Sequence, residues 1–386
     1  MIVLLIISIL VLFLVERWSI RHGLDRITYD VAPSQTLLEP DEEFTVRSTI
    51  ENHKLWFVPY VSMVENFPSG IQIPGEEESL STGTVNTNIY VSSNSSAYQE
   101  LASSQLTTAF YLMPCQRLTR TLQAKLPKRG RYLFLGCRIN GGDLLGLQDD
   151  YRTLSLFKEV VVMPRRAASP SFDMLLGGMI GDISVNRFIF EDPMLTIGFS
   201  DYTGREPMRD ISWTQSARLG RMMVKNYDHT IDLSVTILLN VQSVLNVFEE
   251  DDKLEACCSI ARSVCEQLEA KHIQYSFLSN AIPSGTTNLY TDIEEGLGSG
   301  HFYGIMEFLG RITQGALESF SFTLQRACQS CELGRHHIVI TPSRNPAWED
   351  MLQRLQERSD GRVYLLTPDD LLDKQGETRD KEGKTA

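Results

Sequence analysis

Between Leu24 and about Arg165 the apolar residues recur with a period of two, and that alternation limits what this part of the chain can become. In "EEFTVRSTIEN" Phe44, Val46, Ser48 and Ile50 fall on one side of an extended chain, because successive side chains of a strand point to opposite faces. "WFVPYVSMVEN", "RLTRTLQAKL", "GRYLFLGCRI" and "TLSLFKEVVVM" are equally β-rich and are bounded by Pro, Gly, Asn or Asp. Five or more such runs without a helical period predict an all-β sandwich over 24–165. The Ser/Thr/Asn-rich "SLSTGTVNTNIYVSSNSSAYQE" reads as a long hairpin tip or loop within it.

The pattern changes after "MPRRAASPSFDMLLGGMIGD", whose Pro and Gly mark a linker. "IDLSVTILLNV" is a continuous apolar run of the kind buried on both faces of a parallel sheet. In the next segment Leu254, Cys257, Ala261, Val264 or Cys265, and Leu268 recur at helical spacing. Strand-like "IQYSFLSN", "HHIVIT" and "VYLLTP" alternate with helix-like "YGIMEFLGRI", "LESFSFTLQRAC" and "AWEDMLQRLQER", which predicts a doubly wound, Rossmann-like α/β domain over 231–372. Residues 166–230 read as linker and a distinctive basic segment, and the charged 373–386 as a disordered tail.

At the amino terminus Ile2 to Val15, "IVLLIISILVLFLV", holds one serine and no charge. A helix of that length rises only about 21 Å, short of the roughly 30 Å hydrocarbon core, so length alone also fits a signal-peptide core or an interfacial segment. No basic stretch precedes it and no small-x-small site follows it, as a cleaved signal requires. Residues 1–23 are therefore expected to be a membrane helix, with Met1 and Trp18 extending its apolar length. Arg17, Arg21 and Arg26 all follow the run, so the positive-inside rule places a single-pass protein with its bulk in the cytoplasm. Seven cysteines, most in apolar runs, fit the same reducing compartment and no secreted disulfide framework.

The chain has 386 residues and a formal net charge of −13, which argues against nucleic acid as a partner. Against that background "YTGREPMRDISWTQSARLGRMMVKNY" gathers Arg205, Arg209, Arg218, Arg221 and Lys225. Together with the preceding apolar terminus and β-rich region and the α/β pattern that follows, this segment resembles the bacterial "domain of unknown function 58" family. The matching residues are Tyr202, Glu206 and Pro207 of a turn, Arg209, Ile211, Trp213, Ser216, Ala217, Arg218, Val224 and Lys225. A second match is "KRGRYLFLGCRINGGDLLGL", through Arg129, Gly130, Tyr132, Asp143, Gly146 and Leu147. The sequence departs from the family's pattern where Ser200 replaces an Arg, where Arg205-Glu206 replaces Gly-Asp, and where Leu rather than Pro follows Asp143. The resemblance implies a membrane-tethered partner of a MoxR-type AAA+ ATPase, with a C-terminal domain similar to von Willebrand factor type A. Such proteins act in assembling or maturing other proteins rather than in turning over a small substrate.

A von Willebrand type A domain holds Mg²⁺ with Asp-x-Ser-x-Ser at its first strand's end, since a hard cation wants a carboxylate and neutral oxygens. The corresponding positions here are Asn240, Gln242 and Val244, a degenerate set from which no metal or other cofactor is expected. A Mg²⁺-dependent binding module is the alternative. A hydrolase or redox enzyme using Cys328 and Cys331, with His336 or His337, is a second; a lone CxxC pair is weak support for it. Arg209, Trp213 and Arg218 are expected either to clamp two domains together, the favoured reading, or to face a partner. The function read from all of this is a non-enzymatic adaptor.

Overall fold

The computed structural model describes residues 7, 22–75, 80–84, 102–142, 149–167, 169–186, 192–204, 206–228, 234–242, 247–286, 292–330, 334–359 and 362–370. The chain divides into two units, one of Met1–Arg165 with Met306–Thr313, the other of Arg166–Ile305 with Gln314–Ala386.

The first unit contains β1 (Ile27–Pro33), β2 (Leu37–Leu38), β3 (Glu43–Asn52), β4 (Val58–Pro68), β5 (Leu80–Thr84), β6 (Ala102–Leu112), β7 (Arg117–Lys125), β8 (Gly130–Gly142) and β9 (Asp149–Val162). Strands β1, β3 and β7 pair antiparallel in one sheet, and β2-β9-β8-β4-β6-β5 follow one another in a second. The period-two pattern acts as chemistry requires: Phe44, Val46, Ser48 and Ile50 of β3 are all buried while Arg47 between them is exposed. Phe44 and Val46 share one core cluster with Phe67 of β4, Leu106 of β6, Phe134 of β8 and Val160 of β9, so both sheets close on the same apolar layer. Phe67 and Phe134 meet edge to face at 6.1 Å.

The second unit opens with α1 (Pro170–Asn186), β10 (Asp192–Asp201), α2 (Trp213–Leu219) and β11 (Met223–Asp228). It continues through β12 (Ser234–Leu239), α3 (Val247–Ala270), β13 (Gln274–Ser279), β14 (Ala281–Pro283), β15 (Ile293–Gly296), α4 (Ser299–Arg311), β16 (Ile312–Ala316), α5 (Phe320–Gln329), β17 (His336–Ile340), α6 (Glu349–Ser359) and β18 (Val363–Leu366), except that Met306–Thr313 of α4 and β16 belong to the first unit. The five-stranded sheet runs β15-β13-β12-β17-β18, with β12 fully buried and parallel to both β13 and β17, and with β15 antiparallel at one edge. Leu254, Cys257, Ala261, Val264, Cys265 and Leu268 of α3 are all buried, as the helical spacing requires.

The expected fold class, a membrane helix followed by a sandwich and a doubly wound α/β domain, is corrected by this architecture. The described chain is mostly β, with 18 strands in five sheets. Two of the sheets are two-stranded pairs, β10-β11 and β14-β16, and the five-stranded sheet is mixed rather than wholly parallel. The expected transmembrane helix is corrected too: no helix among the described residues is long and apolar enough to cross a membrane. The run Ile2–Val15 lies outside the described residues except for Ile7, and 373–386 lies wholly outside them.

Residues 166–230 are not only a linker. Phe172, Leu176, Met179, Ile180 and Ile183 are all buried along α1, a spacing that overrides the glycines between them. Glycine matters more at Gly310, in the last turns of α4 that belong to the first unit. A Cβ there would lie 2.5 Å from Val161 Cγ1 and 2.8 Å from Val162 O, so the helix end approaches β9 as only glycine permits. Arg129 completes that contact, its Nη1 donating to Leu309 O at 2.6 Å and to Ile312 O at 3.0 Å, the carbonyls a helix end leaves unsatisfied. Glu159 Oε2 accepts from Arg131 Nε at 2.8 Å and Oε1 from Arg311 Nη2 at 2.7 Å. Gly310→Ala is expected to destabilise the protein by about 1–3 kcal/mol through overpacking. A lowered midpoint of urea unfolding checks this, and an unchanged midpoint contradicts the close approach.

Candidate functional site

The basic segment is held by its own backbone bonds. Strands β10 and β11 pair antiparallel with Phe199 opposite Lys225 and Asp201 opposite Met223. At the turn that follows β10, Gly204 takes a positive φ of 87°, and Glu206 closes the turn, Oε2 accepting from Thr203 N at 2.9 Å and Oε1 from Thr203 Oγ1 at 2.6 Å. That is why a glutamate serves at 206: its carboxylate reaches back three residues to bond both a backbone and a side-chain donor. Pro207, with φ −61°, leads into a 3₁₀ helix over Met208–Asp210. Ile211 then bridges to Val224, and α2 ends at Gly220 in the left-handed region.

Ser216 ties that helix to the strand. Its Oγ donates to Ser212 O at 2.7 Å and accepts from Met223 N at 2.8 Å, while Ser212 N donates to Met223 O at 2.8 Å. Tyr202 and Lys225 are half-buried, and Tyr202 N donates to Met222 O at 2.9 Å. Arg209, Trp213 and Arg218 point outward: Arg209 is 85% exposed, Trp213 is 64% exposed and Arg218 is exposed. Met208 and Leu219 are exposed beside them, which the sequence did not flag because isolated apolar residues in a basic run read as ordinary packing. Arg205 and Asp143 lie outside the described residues. The other expected residues, Arg129 and Tyr132, belong to the first unit, where Arg129 caps the end of α4 and Tyr132 Oη donates to Lys128 O at 2.8 Å.

At the carboxyl end of β12, Asn240 is completely buried together with Asn280 and Thr341. Asn240 Oδ1 accepts from Asn280 Nδ2 at 2.9 Å and from Gln242 N at 2.9 Å, and Asn240 Nδ2 donates to Thr341 Oγ1 at 3.0 Å. Thr341 Oγ1 donates in turn to Ser343 O at 2.9 Å, and Asn280 Oδ1 accepts from Val241 N at 2.9 Å. Gln242 Oε1 accepts from Phe320 N, the first residue of α5, at 3.1 Å. Asn240, Asn280 and Thr341 are therefore bonded to one another and to neighbouring backbone inside the protein, with no charged group among them. The Asn280 partner was missed, although an asparagine directly follows both strands, in "ILLN" after β12 and "FLSN" after β13. Val244 lies outside the described residues.

Cys331 also lies outside them, and Cys328 is half-buried, its thiol pushed up by burial against the opposing effect of Arg358 and Arg354. His336 and His337 are buried in β17, where His336 Nδ1 accepts from Arg362 N at 3.2 Å. Among the described residues no group of three or more His, Cys, Asp or Glu side chains is placed to hold a metal ion. Burial, with Arg335 and His336 adding to it, pushes the His337 imidazole down to about 4.

No protein-family model matches the chain, and no curated protein matches it. Among solved structures, the chain is similar to Spo0M, a sporulation control protein from Bacillus subtilis, with 10% identity, 46% of this chain and 57% of that one covered, and a TM-score of 0.19. It is similar to a putative membrane anchored protein from Corynebacterium diphtheriae, with 11% identity, 36% of each chain covered and a TM-score of 0.23. It is also similar to the CARDB domain of the PF1109 protein from Pyrococcus furiosus, with 10% identity, 35% of this chain and 86% of that one covered, and a TM-score of 0.19. Likenesses of this size support no inference about function.

Two outcomes follow from the site's chemistry. Asn240→Asp puts a buried carboxylate against the Thr341 oxygen and loses a donor, so a loss of about 1–3 kcal/mol is expected by urea unfolding. Calorimetry of the unsubstituted protein with Mg²⁺ is expected to give no saturable heat, and saturable binding abolished by Asn240→Ala would overturn the neutral network. The second outcome is a pH dependence. A histidine whose folded pKa is depressed contributes full stability above its unfolded value near 6.5 and loses it as pH falls toward 4. Between pH 6.5 and 5 the stability is expected to fall by up to about 1.4 kcal/mol per pH unit for each such histidine. His337→Gln is expected to flatten that slope, measured by urea unfolding across the same range.

Proposed function

We propose that the protein is a non-enzymatic adaptor, which binds its partner through the exposed face of the segment from Tyr202 to Lys225. The observation that carries this reading is the exposure of Trp213, Arg209 and Arg218 on a backbone fixed by the Glu206 turn and the Ser216 bonds. Tryptophan and arginine are the side chains that most often carry binding energy at protein interfaces, and a preorganised backbone lowers the entropy that association costs. The resemblance to the "domain of unknown function 58" family makes a MoxR-type AAA+ ATPase the partner, in the assembly or maturation of other proteins. An acidic surface on that ATPase is the complement to Arg209 and Arg218. The apolar Ile2–Val15 stretch associates the chain with the cytoplasmic face of the cell membrane.

The test is recovery of the ATPase with the full-length protein from solubilised membranes under nucleotide-trapped conditions. Trp213→Ala, and separately the pair Arg209→Ala with Arg218→Ala, are each expected to weaken recovery about tenfold, the effect of losing about 1.4 kcal/mol at a hot spot. All three side chains are exposed, so these substitutions leave the folded state intact. Absence of the ATPase, or recovery unchanged by the substitutions, would remove the basis for this reading.

A further inference from the structure

One edge of the first unit carries an apolar surface that its core does not use. Leu55 is 80% exposed and Trp56 is 53% exposed, and Phe57, Tyr111 and Met113 are exposed beside them. These five side chains belong to two adjacent connections. The loop between β3 and β4 holds Leu55 to Phe57, and the end of β6 with its turn into β7 holds Tyr111 and Met113. The Phe57 and Tyr111 rings lie 6.2 Å apart. Asn52, itself buried, donates from one Nδ2 to both Trp56 O at 3.0 Å and Met113 O at 2.9 Å, and Cys115 N donates to Lys54 O at 2.9 Å. The two connections thus form one bonded platform that displays a Leu, a Trp, a Phe, a Tyr and a Met to solvent. A patch of this kind on a soluble surface marks an interaction site.

The chain's own connectivity identifies what it meets. Lys54 is buried in the same loop, and its Nζ donates to His22 O at 3.2 Å and to Gly23 O. Arg152 Nη1 donates to Leu24 O at 3.1 Å, and His53 N donates to Arg26 O at 3.1 Å. Residues 22–26 are therefore fastened to the platform by Lys54 and His53 and to β9 by Arg152. The uncharged run Ile2–Val15 ends seven residues before His22, a covalent reach of at most about 25 Å, and Trp18 is only four residues away, at most about 14 Å. Whatever takes up the apolar run is held within that distance of His22, whose carbonyl is bonded by Lys54, the residue before Leu55. Tryptophan and tyrosine favour the level of the lipid headgroups, where an amphipathic ring meets both water and hydrocarbon.

We infer that Leu55, Trp56 and Phe57, with Tyr111 and Met113, form a lipid-contact edge that enters the interfacial layer of a phospholipid bilayer. The edge rests on the proposed membrane association of Ile2–Val15, adds a second contact from the folded unit, and fixes which end of that unit faces the bilayer. A single apolar segment gives a reversible attachment, and a second element beside it makes the attachment durable.

The probe is a vesicle of phosphatidylcholine and phosphatidylglycerol carrying brominated acyl chains, which quench tryptophan only on contact. Of the four tryptophans, Trp18 adjoins the apolar run, so the comparison is between full-length Trp18→Phe and full-length Trp18→Phe with Trp56→Phe. Quenching in the first that is mostly lost in the second supports the edge. Co-sedimentation of the full-length protein carrying Leu55→Ser, Trp56→Ser and Phe57→Ser is expected to show partitioning weakened about tenfold or more. Vesicle binding with equal fractional quenching in the two proteins overturns the edge alone and leaves membrane association standing. No vesicle binding at all overturns both. A dimer in light scattering that the triple substitution dissociates, with no change in quenching, assigns the patch to a second copy of the chain and likewise overturns the proposal.

Discussion

The carboxyl edge of the five-stranded sheet depends on one buried amide. Asn240 Oδ1 accepts two bonds and its Nδ2 donates two, and these reach three places: the end of β13 through Asn280, its own strand's continuation through the N and O of Gln242, and the end of β17 through Thr341. A buried polar group without partners costs about 1–3 kcal/mol, so the three strand ends can settle only where all of these bonds are made together. Gln242 extends the same logic to the first residue of α5. The network carries no formal charge, and its bonds tie three strand ends together.

The first unit solves a different problem with charge. Glu159 is reached by Arg311 and Arg131, and those hydrogen bonds hold its carboxyl below the usual carboxylate range against the opposing effect of burial. Ion pairs with this much solvent contact contribute modestly as energy, but their geometry is specific. The Arg129 guanidinium bonds two carbonyls at the end of α4, and Gly310 leaves room for that helix end to rest on Val161 and Val162. A planar cation with five donors suits this place because a helix end presents several acceptors at once. Arg129 is thereby a structural residue.

How much of this was legible in the sequence depended on whether the signal was periodic or chemical. Period two located β3 and its buried Phe44, Val46 and Ile50, and the continuous apolar run located β12, because burial imposes those patterns directly. The glycines of "MLLGGMIGD" read as a break, yet α1 forms across them, since five buried apolar residues at helical spacing outweigh about 1 kcal/mol lost at each glycine. The fold class failed where strands join by pairings that no local pattern announces: β15 adds to β13 antiparallel, and β14 pairs with β16 across more than 25 residues. At the candidate site the type of residue was legible and its orientation was not. Arginine and tryptophan at 209, 213 and 218 stood out, but residue type does not announce that their side chains face outward.

The two exposed tryptophans then separate by their company. Trp213 shares its short segment with the exposed Arg209 and Arg218, whereas Trp56 lies between Leu55 and Phe57, and the Lys54 beside them in sequence is buried and turned onto backbone carbonyls. A guanidinium keeps its charge at any accessible pH and demands an acceptor, so the surface around Trp213 is matched by carboxylates or carbonyls. The surface around Trp56 demands nothing polar at its centre and is matched by an apolar phase with a wet boundary. One residue type in two settings is therefore the basis of the two proposals, a protein partner at Trp213 and a lipid interface at Trp56.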